Sequence, residues 1–205
     1  MFALLRKARF LSLPIDIIND LYDKMVIPIL TYGAEVWGCK VDESVERFHR
    51  RFCKILLEVN KSTPNCMALG ELGKLPIAFN CEFKLLSYWG KLICRPDYVI
   101  CKLLYKSYHR YFVANVEILY SFDWISRVKE LLSDLNLIDY WNNQKIDDFI
   151  SFKNLCKDRL KSLYIDKWKS EVMNNRKCVN YRMFKNELIF EKYLINLPYL
   201  SLIHI

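Results

Sequence analysis

The chain has 205 residues, of which 53% are hydrophobic and 26% charged, with 31 Lys and Arg against 23 Asp and Glu. That apolar fraction excludes an intrinsically disordered chain and suffices for a sizeable core, while the net charge of +8 invites an anionic partner. The five glycines all lie at or before Gly90, so sandwiches, barrels and Rossmann units, which need glycine turns at short intervals, are disfavoured.

Helical periodicity runs through the whole sequence. A first helix opens at Pro14, whose missing N–H costs nothing in a first turn, and carries Ile17, Ile18, Leu21, Tyr22, Met25 and Val26 on one face. Pro28 is expected to kink or end it, and a short apolar piece, Ile29–Trp37, leads to Gly38. A second helix spans Asp42–Val59. Asp42 is its N-cap, Val45, Phe48, Phe52, Leu56 and Val59 form its apolar stripe, and Arg47, Arg50, Arg51 and Lys54 lie on its wet side. Ser62-Thr63-Pro64 starts a third helix that Gly70 and Gly73 close, and Pro76 opens a fourth with Phe79, Phe83, Leu86, Trp89 and Ile93 inward. Arg95-Pro96-Asp97 separates it from a fifth, Tyr98–Phe112.

The sign of the charge then changes: residues 113–152 hold three Lys/Arg against seven Asp/Glu, whereas 153–205 hold eleven against five. Asn115–Phe122 is therefore read as a linker. A sixth helix follows at Phe122–Leu135, then a polar, turn-like Asp139–Gln144. A long seventh helix, Asp147–Met173, has Phe149, Phe152, Cys156, Leu160, Leu163 and Trp168 on one face, and Asn174-Asn175 ends it. A last helix is expected over Arg182–Leu194. The predicted fold is all-α: an irregular bundle of about seven or eight helices in one or two sub-domains.

The eight cysteines form no CxxC and no Cys/His pair with zinc-finger spacing, so they read as reduced, buried intracellular thiols. The apolar run Met25–Ala34 is too short to span a membrane, and the basic N-terminus has no signal-peptide apolar region behind it. The expected location is intracellular, nuclear or cytoplasmic, with no membrane partner and no secretion.

Chemistry-bearing motifs are scarce. His49, His109 and His204 show no triad spacing, and Gly70-x-x-Gly73 lacks the Lys-Ser/Thr of a phosphate-binding loop. Asp147-Asp148 superficially matches the metal-binding pair of a polymerase palm, but it precedes a helical stripe, where carboxylates at a helix N-terminus explain it. No catalytic residue, metal or cofactor is expected. Basic residues are more suggestive: Arg47, Arg50, Arg51 and Lys54 on the second helix, Lys157, Lys161, Lys167 and Lys169 on the seventh, then Arg182 and Lys185. Tyr105-Lys106-Ser107-Tyr108-His109-Arg110-Tyr111 interleaves aromatics with cations, as single-strand binders do. The competing reading of each cluster is a solvated helix face.

The run Leu13-Pro14 … Leu21-Tyr22-Asp23 … Val26-Ile27-Pro28-Ile29-Leu30-Thr31-Tyr32-Gly33-Ala34-Glu35-Val36-Trp37-Gly38 resembles the segment after the palm in non-LTR (LINE-type) retrotransposon reverse transcriptases. Glu46 … His49 … Phe52-Cys53-Lys54 and Glu71-Leu72-Gly73 … Pro76 continue the likeness. Leu160 … Tyr164 … Trp168, Tyr181–Lys185 and Glu191–Leu194 are similar to the stretch that in such proteins precedes a zinc knuckle. The resemblance implies thumb-side scaffold over residues 1–40, a helical sub-domain over 41–112 and a basic helical one over 113–199. It marks Pro28, Tyr32, Gly33, Glu35, Trp37 and Gly73 as structural motif positions; separately, Tyr32 and Trp37, large aromatics in an apolar run bounded by Gly33 and Gly38, are expected to pack as a buried junction. It also implies an RNA-directed DNA polymerase as parent, whose fingers and palm are expected upstream and whose knuckle is expected downstream, so no polymerase catalytic residue transfers. The implied partners are RNA or DNA, bound non-specifically, and the rest of the parent polyprotein. The tail Leu200–Ile205 matches what a transposase mosaic-end sequencing adapter encodes in one frame and is read as foreign. The alternative is an unrelated helical protein-interaction module with a basic surface.

Overall fold

The computed structural model describes residues 11, 13–114 and 123–195; the expected linker Asn115–Phe122 and the tail from Leu200 lie outside them. The described residues form α1 (Ile15–Leu21), a π-helical turn (Tyr22–Val26), α2 (Ile27–Leu30), α3 (Ala34–Trp37), α4 (Glu43–Leu56), α5 (Asn65–Glu71), α6 (Ile77–Cys94), α7 (Ile100–Val113), α8 (Asp123–Asp134), α9 (Ile138–Asn143), α10 (Phe149–Asn174) and α11 (Tyr181–Phe184). Two short 3₁₀ turns, Arg176–Cys178 and Lys192–Ile195, complete them. The chain is all-α: the only β pairing among the described residues is a single antiparallel bridge, Leu72 with Phe190.

Three segments depart from the sequence expectation. Of the two outcomes expected at Pro28, a kink or an end, the end is not seen. The turn ahead of it widens so that the Ile27 N–H reaches the Tyr22 carbonyl, five residues back, and the helical path continues to Leu30; a π turn relieves the clash a proline ring makes with the preceding turn. Asp139–Gln144 is not a polar turn but lies largely in α9, because burying Trp141 to 4% exposure outweighs the weak propensity of Asp and Asn. Arg182–Leu194 is not one helix. After α11 the backbone runs out to pair with α5's end, the Glu191 N–H donating to the Glu71 carbonyl at 3.0 Å.

The residues group into two compact units that are not consecutive blocks of chain. One gathers the described residues of Met1–Tyr32, Asp42–Ile77 and Tyr164–Ile205, the other those of Gly33–Val41 and Ala78–Leu163.

The core of the first unit joins Ile15, Ile18, Phe52, Leu56, Ala68, Leu69, Leu72 and Leu194 around Tyr22. Residues 49, 52, 53 and 56 of α4 are buried, the i, i+3, i+4, i+7 pattern of a helix with one apolar face. Polar groups run through this core. His49 Nε2 lies 3.1 Å from the Leu75 carbonyl, which can only accept, so Nε2 carries the proton and Nδ1 accepts from the Tyr22 hydroxyl at 2.9 Å. Tyr22 stacks on Phe52 with centroids 3.6 Å apart. Lys74, 5% exposed, donates to the Asn19 carbonyl at 3.2 Å, pairs with Asp23 at 2.5 Å and sits over the Tyr22 ring. Asn19 in turn donates to the Leu72 carbonyl at 3.3 Å.

A satellite cluster ties α5 to the C-terminal half of α10. The Trp168 indole donates to the Cys66 carbonyl at 2.8 Å, and the Tyr181 hydroxyl donates to the Met67 carbonyl at 3.4 Å. Cys66 and Cys178 are fully buried with sulfurs 3.6 Å apart, and burial, reinforced by that contact, pushes the Cys66 thiol up to about 12. All eight cysteines are free.

In the second unit Trp89 is the centre. Its indole donates to the Tyr105 hydroxyl at 2.9 Å, which donates to Gln144 Oε1 at 2.7 Å, and Trp141 and Phe152 close around the ring. Arg127 and Glu82 form an ion pair at 2.5 Å with the carboxylate side chain only 7% exposed.

The Tyr32–Trp37 block is not the buried junction expected. Tyr32 is 83% exposed and Val36 66%, because α3 is a single turn that buries only Ala34. Gly33, at φ +69°, starts that turn, and the Trp37 ring lies over it. The block also offers a backbone acceptor: Trp124 donates to the Glu35 carbonyl at 2.9 Å.

Two stability predictions follow from these contacts. A Cβ on Gly70 would sit 2.4 Å from the Tyr181 hydroxyl and 2.9 Å from the Trp168 ring. Gly70→Ala is therefore expected to destabilise the chain by about 1–3 kcal/mol, read as a lowered denaturant midpoint. Burial, with Lys74 nearby, holds the His49 imidazole down at about 4, against 6.5 for an ordinary histidine. Acid protonates the unfolded imidazole first, so stability is full above pH 6.5 and drains away as pH falls towards 4, by roughly 3 kcal/mol from this residue. Denaturant melts across that range should show the loss, and His49→Gln should flatten it.

Candidate nucleic-acid interface

The apolar stripe that buries α4 also fixes what its other face presents. With residues 49, 52, 53 and 56 inward, 47, 50, 51 and 54 fall together on the outer side at the same i, i+3, i+4, i+7 spacing. The N-terminus of the helix is set by Asp42, whose carboxylate accepts from the Ser44 N–H at 2.6 Å and is held below the usual carboxylate range by the Ser44 side chain first and by that N–H second. Its C-terminus turns at Glu58, which takes a left-handed φ of 55°, and the 59–64 loop folds back beside the helix. The loop is held there by Lys54, which donates to the Lys61 carbonyl at 2.9 Å, and by Asn60, which accepts from the Ser62 N–H at 2.9 Å.

Helix face and returning loop enclose a cleft of about 440 Å³ lined by Arg47, Arg50, Arg51, Lys54 and Lys61, with Ile55, Val59 and Asn65 as its neutral wall. No acidic residue lines it among the described residues. Arg50 is held by an ion pair with Glu43, two turns nearer the helix start. Desolvation, with Arg50 and Lys177 close by, pulls the Lys54 ammonium below its ordinary pKa. Burial supplies the larger part of that pull and the neighbouring cations add to it, an addition that a bound anion would offset. Five cations converging on one concavity suit a run of phosphates, which arginine forks grip two oxygens at a time.

The other basic residues named from sequence are dispersed. Lys157 and Lys161 are exposed in the second unit, and Lys167 and Lys169 are exposed in the first; none of the four lines the α4 cleft. Arg182 is exposed but donates to the Met173 carbonyl at 2.9 Å, near the end of α10. Lys185 must be withdrawn as a ligand-facing residue. It is 5% exposed, donates to the Ile189 carbonyl at 2.9 Å and pairs with Glu191, so its charge is spent inside the fold. Sequence reasoning left Lys61 and Lys177 out of the site. Lys177 reaches the loop beside the cleft, its ammonium 3.5 Å from the Ser62 carbonyl, 115 residues away in sequence, a separation no local pattern reveals.

The Tyr105–Tyr111 run does reach a cleft of about 820 Å³ in the second unit, lined by Lys102, Tyr105, Lys106, His109 and Arg110. Two of its three cations are already used. Lys106 pairs with Asp97 at 2.7 Å, Lys102 is buried and donates to the Ile93 carbonyl, and Tyr105 belongs to the Trp89 core. Asp148 accepts from the Ile150 N–H at 2.9 Å as a helix cap. Among the described residues no group of three or more His, Cys, Asp or Glu is placed to hold a metal ion, and no helix is long and apolar enough to cross a membrane.

Lys185 and the cleft residues separate fold from binding. Lys185→Met is expected to destabilise the chain by about 2 kcal/mol by leaving Glu191 without its partner. The same change should leave the salt dependence of any polyanion binding as it was, measured side by side by thermal melting and heparin-column elution.

No family model, curated protein or solved structure matches the chain.

Proposed function

We propose that the chain is a non-catalytic, nucleic-acid-contacting helical part of a LINE-type retrotransposon reverse transcriptase, acting in the nucleus or cytoplasm alongside the rest of its polyprotein. The observation that carries the nucleic-acid half of this reading is the cleft of Arg47, Arg50, Arg51, Lys54 and Lys61. The retrotransposon half rests on the sequence resemblance of the Pro28–Trp37 block and its continuation. On this reading the cleft grips phosphates without reading sequence, and chemistry belongs to a palm outside these residues.

Charge reversal of Arg47, Arg51, Lys54 and Lys61 to Glu tests the reading by fluorescence anisotropy with labelled RNA and DNA across a salt series. Wild type should bind at roughly 10⁻⁴–10⁻⁶ M with a steep salt slope, and the reversed protein should bind more weakly with a flattened slope. A folded wild type that binds neither at low salt sinks the proposal. Primer extension with Mg²⁺ should give no product, and template-dependent synthesis would refute the non-catalytic assignment.

One observation favours the second reading, a protein-interaction module. α7 carries an outward stripe of Ile100, Leu104, Tyr108 and Tyr111, between 46% and 74% exposed, which suits a partner helix.

A further inference from the structure

A second concavity adjoins the basic cleft in the same unit. It measures about 340 Å³ and is lined chiefly by apolar and aromatic groups, among them Leu57, Pro64, Met67, Tyr181, Phe184 and Tyr193. Val59 lines both concavities, and residues 61 and 62, one on each side, join them. Lys177 stands at the seam. It lines the aromatic pocket, its ammonium is 3.5 Å from the Ser62 carbonyl, and it is near enough to Lys54 to disfavour that residue's charge.

Two rings of the pocket are open to solvent: Phe184 is 71% exposed and Tyr193 47%. Both are braced. The buried Tyr181 ring meets Phe184 edge-on at 5.6 Å and 78°, and the Tyr193 hydroxyl donates to Glu71. Exposed aromatic rings held in place are poor core and good stacking platforms, since each base face laid on one stays accessible only to an unstacked base. The Glu71 carboxylate, also in the lining, repels phosphate and so reserves this pocket for the uncharged part of a nucleotide.

We propose that this pocket takes an unpaired base of a single-stranded nucleic acid, stacked on Phe184 and Tyr193, while the neighbouring phosphates lie in the Arg47–Lys61 cleft. The inference rests on the nucleic-acid reading above and adds to it a ligand class: single strand over duplex, because a paired base is already stacked and cannot enter. It also adds a base contribution to a site otherwise blind to everything but charge.

The test uses the full chain and three labelled probes in anisotropy at low salt: a short single strand, its duplex, and the same strand with abasic sites, which keep every phosphate and lose the bases. The intact strand should bind about 5- to 150-fold tighter than the abasic one, the range one base stack provides. Phe184→Ala should bring the intact strand to the abasic affinity while leaving duplex binding and salt slope unchanged. Phe184→Trp should restore or exceed wild-type affinity, and Tyr193→Phe, which keeps the ring and loses the bond to Glu71, should retain most of it. Phe184 is largely exposed, so unchanged thermal melting is expected for its variants. Equal binding of intact and abasic strands, or a Phe184→Ala protein with wild-type single-strand affinity, overturns the base pocket. In that case the phosphate cleft still stands if its own charge reversals weaken both probes. Loss of all binding in wild type overturns both.

Discussion

The first unit is organised around a buried polar knot. Tyr22, His49, Lys74 and Asn19 lie where hydrophobic side chains would be expected, and they are tolerated because their polar groups meet partners supplied by another segment, the buried Asn19 Oδ1 being the one atom left without a hydrogen bond. The imidazole needs the Leu75 carbonyl on one side and the Tyr22 hydroxyl on the other, so α4 cannot rotate or slide without orphaning a donor or acceptor. An all-Leu seam would accept several rotations of α4 at similar cost. The knot accepts one, and this fixed rotation carries Arg47, Arg50, Arg51 and Lys54 to the outer face as a group.

Charge on this chain is sorted by whether it has been consumed. Lys74, Lys102 and Lys185 are buried and spend their donors on carbonyls or carboxylates within the fold. Lys54 is intermediate: it bonds the returning loop yet remains in the lining of the cleft. A count of Lys and Arg in a sequence window cannot make this distinction, because a lysine's stem and length let it serve as an internal strut as readily as a surface charge.

Helices with strong periodicity and clear boundaries could be read from the chain directly. α4, with Asp42 as its cap, α6 after Pro76, and α10 ending at Asn174 all follow from apolar spacing and capping chemistry. The segments that escaped did so for nonlocal reasons. α9 exists because Trp141 has a place in the Trp89 core, and 185–191 runs extended because α5's end offers backbone partners. Pro28 was read by its local rule, but a widened turn absorbed it. Of the site, the α4 cations could be read by helical phase alone. The loop cation Lys61 and the distant Lys177 required the tertiary path, and the aromatic pocket draws on residues from 57 to 194, which no spacing rule joins.

The discontinuous makeup of the first unit has a kinetic consequence. Its C-terminal segment is separated from the rest of it by residues 78–163 of the second unit, and the contacts closing it, Trp168 to Cys66, Tyr181 to Met67 and Phe190 to Leu72, each span more than a hundred residues. During synthesis residues 78–163 are complete while the N-terminal core still lacks its closing strap, so the second unit is free to fold first and the first must wait with Ile18, Phe52 and Leu69 uncovered. That interval, rather than the finished fold, is when this chain is most exposed to aggregation. Losing residues beyond about 164 would open the N-terminal core by taking away Leu194 and the Phe190 that packs on it, even though every residue from Ile15 to Leu72 remained.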